Sequence, residues 1–205
     1  MKKTRLEAFS DGVFAIVITL LILNVKLPEV QYNNLMPGLI DMLPTIGVYI
    51  LSFLLIGMYW VFHHFALTLL SEVDGLLVWL NILFLLFVSF LPFPTMLLSK
   101  YPFQTIPIVI YASNLLLVNL TGFVFTVYLW RNKQLHSHIL TSKIYKTQIQ
   151  MYIGVNLLYI AGIIIAFFSP KTSVISFAVM TVFLIIRSAI FMGIGKCNLY
   201  SERSQ

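Results

Sequence analysis

The feature that most limits the fold of this chain is a series of unbroken apolar runs separated by short polar or proline-bearing breaks. The stretches 75–98 and 105–130, for example, contain no Asp, Glu, Lys or Arg. At about 1.5 Å of rise per residue, ~20 such residues cover the ~30 Å hydrocarbon core of a bilayer. Lipid offers no partners to backbone N–H and C=O groups, so runs of this length close their hydrogen bonds internally as helices. Transmembrane β-strands would alternate apolar and polar residues, and these runs do not. Composition agrees. Of 205 residues, 60% are hydrophobic and 10% charged, against about 25% charged in a soluble domain. The expected fold class is an all-α integral membrane protein with the lipid bilayer as its solvent.

The runs predict six transmembrane helices, at about 4–26, 35–70, 75–98, 105–130, 147–168 and 172–195, in a single domain, 1–205, without an internal repeat. Thr4 and Glu7 have the spacing of a capping box at the start of the first helix, which stops before Pro28. Lys2, Lys3 and Arg5 ahead of the run 13–23 resemble a signal peptide. Ser10 and Asp11 interrupt the approach, however, and no small-x-small cleavage site follows Leu23, so this segment is read as a retained helix. The second helix opens with an amphipathic preamble, 35–43, and the polar stretch 131–146 is the longest connection.

Net charge is +6, but the basic residues sit at helix ends rather than on a nucleic-acid-binding face. Lys2, Lys3, Arg5, Arg131, Lys133, Lys143, Lys146, Lys196 and Arg203 fall on one side of the bilayer. Lys26, Lys100 and Lys171 fall on the other. Nine against three places both termini in the cytoplasm. Arg187 is expected to snorkel to the cytoplasmic interface. The single Cys197 excludes a disulfide framework and reads as a free thiol.

Polar groups inside a span are costly and therefore mark candidate sites. Asp11 is either hydrated at the interface or paired inside the protein, where it would fix the first helix. At ~100° per residue, Phe9, Gly12, Ile16, Thr19, Leu20 and Leu23 share one broad face, extended by Arg5, and Asp11 lies ~140° from Ile16. If the Ile16 face lines a pathway, Asp11 must point into the surrounding protein. Trp60, His63 and His64 end the second helix and Asn81 begins the third, all at the depth of Asp11, so a hydrogen-bonded network around its carboxylate is expected. A metal site is disfavoured, because adjacent His63 and His64 diverge on a helix and no Glu-x-x-His or Cys cluster accompanies them. No catalytic constellation occurs in any span, so an enzyme is not expected. The stretch 45–49 is superficially like a potassium-channel filter, but it sits in a long apolar run and Ile50 stands where the final glycine belongs.

Arg5, Phe9-Ser10-Asp11 and the following Ile16 and Thr19-Leu20-Leu21 closely resemble the Arg-x-x-x-Phe-Ser-Asp signature of the endolysosomal potassium channel family (transmembrane protein 175) and its bacterial relatives. The stretch 59–64 and the segment 81–95, ending in Ser89-Phe90-Leu91-Pro92-Phe93-Pro94-Thr95, are similar to the bacterial members. The resemblance is strong over the first three helices and rests on helix count and spacing for the rest. It implies a six-helix protomer with cytoplasmic termini that assembles as a homotetramer, with four first helices around a central pore and no carbonyl filter. It further implies a constriction at Ile16, Leu20 and Leu23, a pore-facing Thr19, and anchoring by Arg5, Phe9, Ser10 and Asp11. The wheel agrees for Asp11, whereas it places Arg5 and Phe9 on the pathway stripe.

The function implied is a passive potassium-permeable cation channel, passing sodium less favourably, with a permeant potassium ion in place of any cofactor. The competing expectation is a secondary or proton-coupled cation transporter, but inverted repeats and a mid-membrane carboxylate are lacking. An intramembrane structural or assembly protein is a third possibility, and it predicts no ion flux. His63 and His64 near Asp11 are read as neutral members of a polar network in preference to a pH switch. A bacterial inner membrane is the expected location.

Overall fold

In the computed structural model, residues 2–202 are described, with side chains described for 2–23 and 25–186; Arg187 and Cys197 therefore lie outside the described side chains. The architecture is all-helical. Helix α1 (Lys3–Leu20) tightens into a 3₁₀ turn, Leu21–Asn24, and an extended segment with a short 3₁₀ turn at Tyr32–Asn34 leads to α2 (Leu35–Asp41). Then follow α3 (Leu43–Thr68), α4 (Gly75–Phe90), α5 (Pro92–Lys100), α6 (Thr105–Arg131), α7 (Ser142–Phe168) and α8 (Pro170–Glu202).

Five segments among the described residues are long and apolar enough to cross a bilayer: Lys3–Leu23, Leu43–Thr68, Gly75–Lys100, Thr105–Arg131 and Ser142–Phe168. Pro170–Ile186, the part of α8 with described side chains, is apolar but shorter.

Several helix boundaries differ from expectation, each for a local reason. The α1 N-cap is Lys2 and no side chain caps it, while Glu7 approaches Lys3 at 3.9 Å, so the Thr4 capping box does not form. The third predicted helix divides at Leu91 into α4 and α5, because Pro92 and Pro94 remove N–H donors and crowd the preceding turn. The fifth begins at Ser142 rather than near 147, with the Thr141 side chain accepting from the Ile144 amide.

The helices bury one main apolar core, into which α1 contributes Phe14, Val17 and Leu21. In the packing, α6 is central: it lies against α4, α5, α7 and α8, while α1 packs on α3 and α4. Interhelical hydrogen bonds knit this interior, as expected where apolar burial gains little between helices in lipid. Asn119 Nδ2 on α6 donates to the Tyr59 hydroxyl on α3 at 2.9 Å, and that hydroxyl lies 3.2 Å from the Tyr159 hydroxyl on α7. Where α7 meets α8, a Cβ on Gly162 would run into the Phe177 ring, so only glycine permits this approach.

A second, smaller core closes the end of the bundle at which α1 begins. Leu6 of α1 inserts among Leu67, Leu70, Leu77, Leu129 and Leu135. Two connections pair across this end: the Ser71 amide donates to the Leu135 carbonyl and the Ser137 amide to the Leu69 carbonyl, each at 2.8 Å. Lys3 Nζ joins them by donating to the Leu70 carbonyl at 3.1 Å. The base of α1 is thereby seated on the rest of the protein.

Candidate functional site

The residues singled out from the sequence converge on α1, and its two long sides have opposite surroundings. Leu6, Ser10, Phe14 and Val17, continued by Leu21 in the 3₁₀ turn, recur every three or four residues and are buried, the helix against α3 and α4 and the turn against α3 and α5. The other side is open: Phe9 is 54% exposed, Ile16 61%, Leu20 42% and Leu23 69%, and Gly12, Thr19 and Arg5 are exposed with them. Thr19 donates its hydroxyl hydrogen back to its own helix, at the Ala15 (3.1 Å) and Ile16 (2.8 Å) carbonyls. Above Arg5 at its base, the open side therefore carries apolar side chains and one hydroxyl, which keeps its acceptor capacity while its hydrogen is committed to the helix.

Asp11 is not buried within the protomer. Its Oδ1 accepts a 2.8 Å hydrogen bond from Trp60 Nε1 of α3, and both residues are exposed. The packed direction of α1 falls at Ser10 and Phe14, between the directions of Ile16 and Asp11. A residue ~140° from the open stripe thus lands on the far edge of the contact instead of at its centre. His64 is also exposed, stacked on the Trp60 ring with centroids 5.9 Å apart.

The buried polar centre lies one residue earlier. Asn81 of α4 donates through Nδ2 to Ser10 Oγ at 3.1 Å, and its Oδ1 lies 2.6 Å from His63 Nε2 of α3. Ser10 Oγ in turn donates to the Leu6 carbonyl at 2.8 Å. Each of Ser10, Asn81 and His63 is buried. The single network expected around Asp11 is therefore two networks: an interior Ser10–Asn81–His63 set and a peripheral Asp11–Trp60–His64 set. Among the described residues, no group of three or more His, Cys, Asp or Glu side chains is arranged to hold a metal ion. The stretch 45–49 lies within α3, so its carbonyls belong to the helical ladder.

Two contributors escaped the sequence reading. Phe14, four residues after Ser10, packs its ring against His63 (5.6 Å) and Phe84 (6.2 Å); the i+4 spacing placed it beside Ser10, but an apolar ring in an apolar helix carries no distinguishing mark. The Tyr59–Asn119–Tyr159 cluster was signalled by one asparagine in the middle of an apolar run, the kind of residue that marks a tertiary contact.

These features define a helical membrane protein whose first helix is held on one side by its own bundle and left open along an apolar stripe on the other. The family model of the endosomal/lysosomal potassium channel TMEM175 matches residues 5–92. A potassium channel of Streptomyces collinus is 46% identical over 98 residues, which is 47% of this chain and 48% of that one. One from Chamaesiphon minutus is 33% identical over 195 residues, 90% of this chain and 94% of that protein. The crystal structure of a lysosomal potassium-selective channel TMEM175 homologue, also from Chamaesiphon minutus, superimposes with a TM-score of 0.77 at 31% identity, covering 91% of this chain and 97% of that one. The chain belongs to the TMEM175 family, and its similarity over most of its length is to bacterial members. It is a membrane protein of a channel family and not an enzyme.

Proposed function

We propose that the protein is a potassium-permeable cation channel whose pathway is lined by the open side of α1. The observation that carries this is the exposure of Ile16, Leu20 and Leu23 along a helix whose other side is buried from Leu6 through Ser10, Phe14 and Val17 to Leu21. In a family of channels, an apolar stripe left free by its own protomer is the natural surface to meet copies of itself around an axis. Four copies in a homotetramer, each with six spans and cytoplasmic termini, would gather four α1 helices at the centre, in a bacterial inner membrane.

On this arrangement Ile16, Leu20 and Leu23 form successive apolar rings. An ion crossing a narrow apolar ring must shed water without replacement ligands, so such a ring closes by dewetting and conducts once it widens. No carbonyl filter enters this reading, and selectivity for potassium over sodium is modest. The Thr19 hydroxyl, its hydrogen committed to the helix, offers lone pairs to a passing cation. Ser10 and Asp11, with Asn81, His63, Trp60 and His64, hold α1 against α3 and α4. Arg5 and Phe9, both on the open side, face the cytoplasmic vestibule.

The test is ion flux from proteoliposomes loaded with potassium or sodium, with a proton ionophore as control. Wild-type protein should pass potassium faster than sodium, and Ile16→Asn, which wets the narrowest ring, should raise the potassium rate by about threefold or more. Absence of flux would contradict the channel. Unchanged flux in Ile16→Asn would remove Ile16 from the constriction.

A further inference from the structure

The packed side of α1 rests on a layer of rings with free volume behind it. Phe14 meets the His63 and Phe84 rings, which stack on each other with centroids 5.2 Å apart. On the far side of His63 and Phe84 lies a cavity of about 50 Å³, lined by α3, α4, α6, α7 and α8, with Met58, Val118, Val155 and Leu184 among its walls.

The cavity is apolar in the sense that matters for its contents. Each polar side chain on its wall has a partner within the protein: Asn119 bonds to Tyr59 and the Leu115 carbonyl, Tyr59 to Tyr159, His63 to Asn81 and Tyr152 to Thr126. A water needs about two to four polar partners to be held, and apolar cavities stay dry and admit guests such as xenon. Protein interiors are otherwise close-packed, so a void of this kind leaves its lining short of contacts and able to move into it.

Its position gives it a consequence. Widening the pathway requires α1 to move back towards α3 and α4, and helix shifts of this type are about 1–2 Å. Phe14 would then press on His63 and Phe84, and those two rings have the cavity to move into. We propose that this cavity is a regulatory site for small, neutral, mostly apolar molecules: empty, it accepts the rings as α1 retreats; filled, it holds α1 forward and the pathway closed. This rests on the reading of α1 as the pathway helix.

Xenon is the probe, applied to the full chain in proteoliposomes. Binding is followed by xenon NMR and function by potassium flux. Wild-type protein should bind xenon saturably, beyond protein-free liposomes, and lose about fivefold or more of its flux. Val155→Phe, which fills the void, should neither bind xenon nor respond to it, and should start from low flux. Val118→Leu serves the same purpose if that variant fails to assemble. Ile16→Asn protein, whose constriction no longer needs to widen, should bind xenon and keep its flux. No saturable binding overturns the site, and so does binding that leaves wild-type flux unchanged. An equal loss of flux in Ile16→Asn protein assigns the effect to the bilayer and overturns it as well. If neither wild-type nor Ile16→Asn protein carries flux, the pathway reading and the regulatory claim both fail, while the xenon signal still decides whether the cavity is a binding site.

Discussion

Ser10 and Asp11 are neighbours in the chain with opposite surroundings. Ser10 is fully buried and shares Asn81 with His63, whereas Asp11 is exposed and bonded to one edge-lying indole. One step of ~100° around a helix separates a group that has no alternative to its protein partners from one that keeps access to its surroundings. The stronger formal charge is thus on the periphery, and the neutral hydroxyl–amide–imidazole set occupies the interior, where an unpaired charge would be most costly. The same division runs along the whole helix: Leu21 is buried and Leu20 is open, one residue apart.

Substitutions that probe this contrast should rank accordingly. The largest effect is expected from Asn81→Leu, which strands Ser10 and His63 together; a loss of about 2–4 kcal/mol, read from thermal unfolding in detergent, follows from leaving buried polar groups unpaired. Comparable losses for Asn81→Leu and Trp60→Phe would erase the distinction between interior and edge. Next comes the pair of leucines. Leu21→Ala should cost about 2–3 kcal/mol through lost packing, the lower end applying if the site collapses. Leu20→Ala should change stability by less than about 0.5 kcal/mol while altering flux. Trp60→Phe removes the donor to Asp11 and should cost about 1 kcal/mol in the same unfolding measurement. The smallest effect on stability and flux taken together belongs to His64→Ala, within about 0.5 kcal/mol, because its ring stacks on the exposed Trp60.

Much of this organisation was legible from residue spacing. Apolar run length alone places α1, α3, α4 with α5, α6 and α7, and proline position explains why the third span breaks at Leu91. The open stripe follows from arithmetic on Ile16, Thr19, Leu20 and Leu23. What spacing does not give is the direction in which a helix is packed. Opposition to Ile16 favours an inward Asp11 over a hydrated one, but the buried arc is centred on Ser10 and Phe14, and charge is a poor guide to burial when a neutral neighbour can take the inner position. Likewise Trp60, His63 and His64 share a depth, yet consecutive helical residues face different ways, so His63 turns to Asn81 while Trp60 and His64 turn outward. The Thr4 capping box has the right letters, but the helix begins one residue before it and Lys3 engages Glu7 and Leu70 instead.

The central claim is that the open side of α1, and not its packed side, contacts permeating ions. Cysteine accessibility tests it most directly, in a Cys197→Ser background, with single cysteines introduced along α1 and a membrane-impermeant thiol reagent applied during potassium flux. Ile16→Cys, Thr19→Cys, Leu20→Cys and Leu23→Cys should each lose flux on modification, whereas Val17→Cys and Leu21→Cys should not react. Block at Val17→Cys or Leu21→Cys, with Ile16→Cys and Leu20→Cys unaffected, would place the pathway on the other side of the helix and contradict the account.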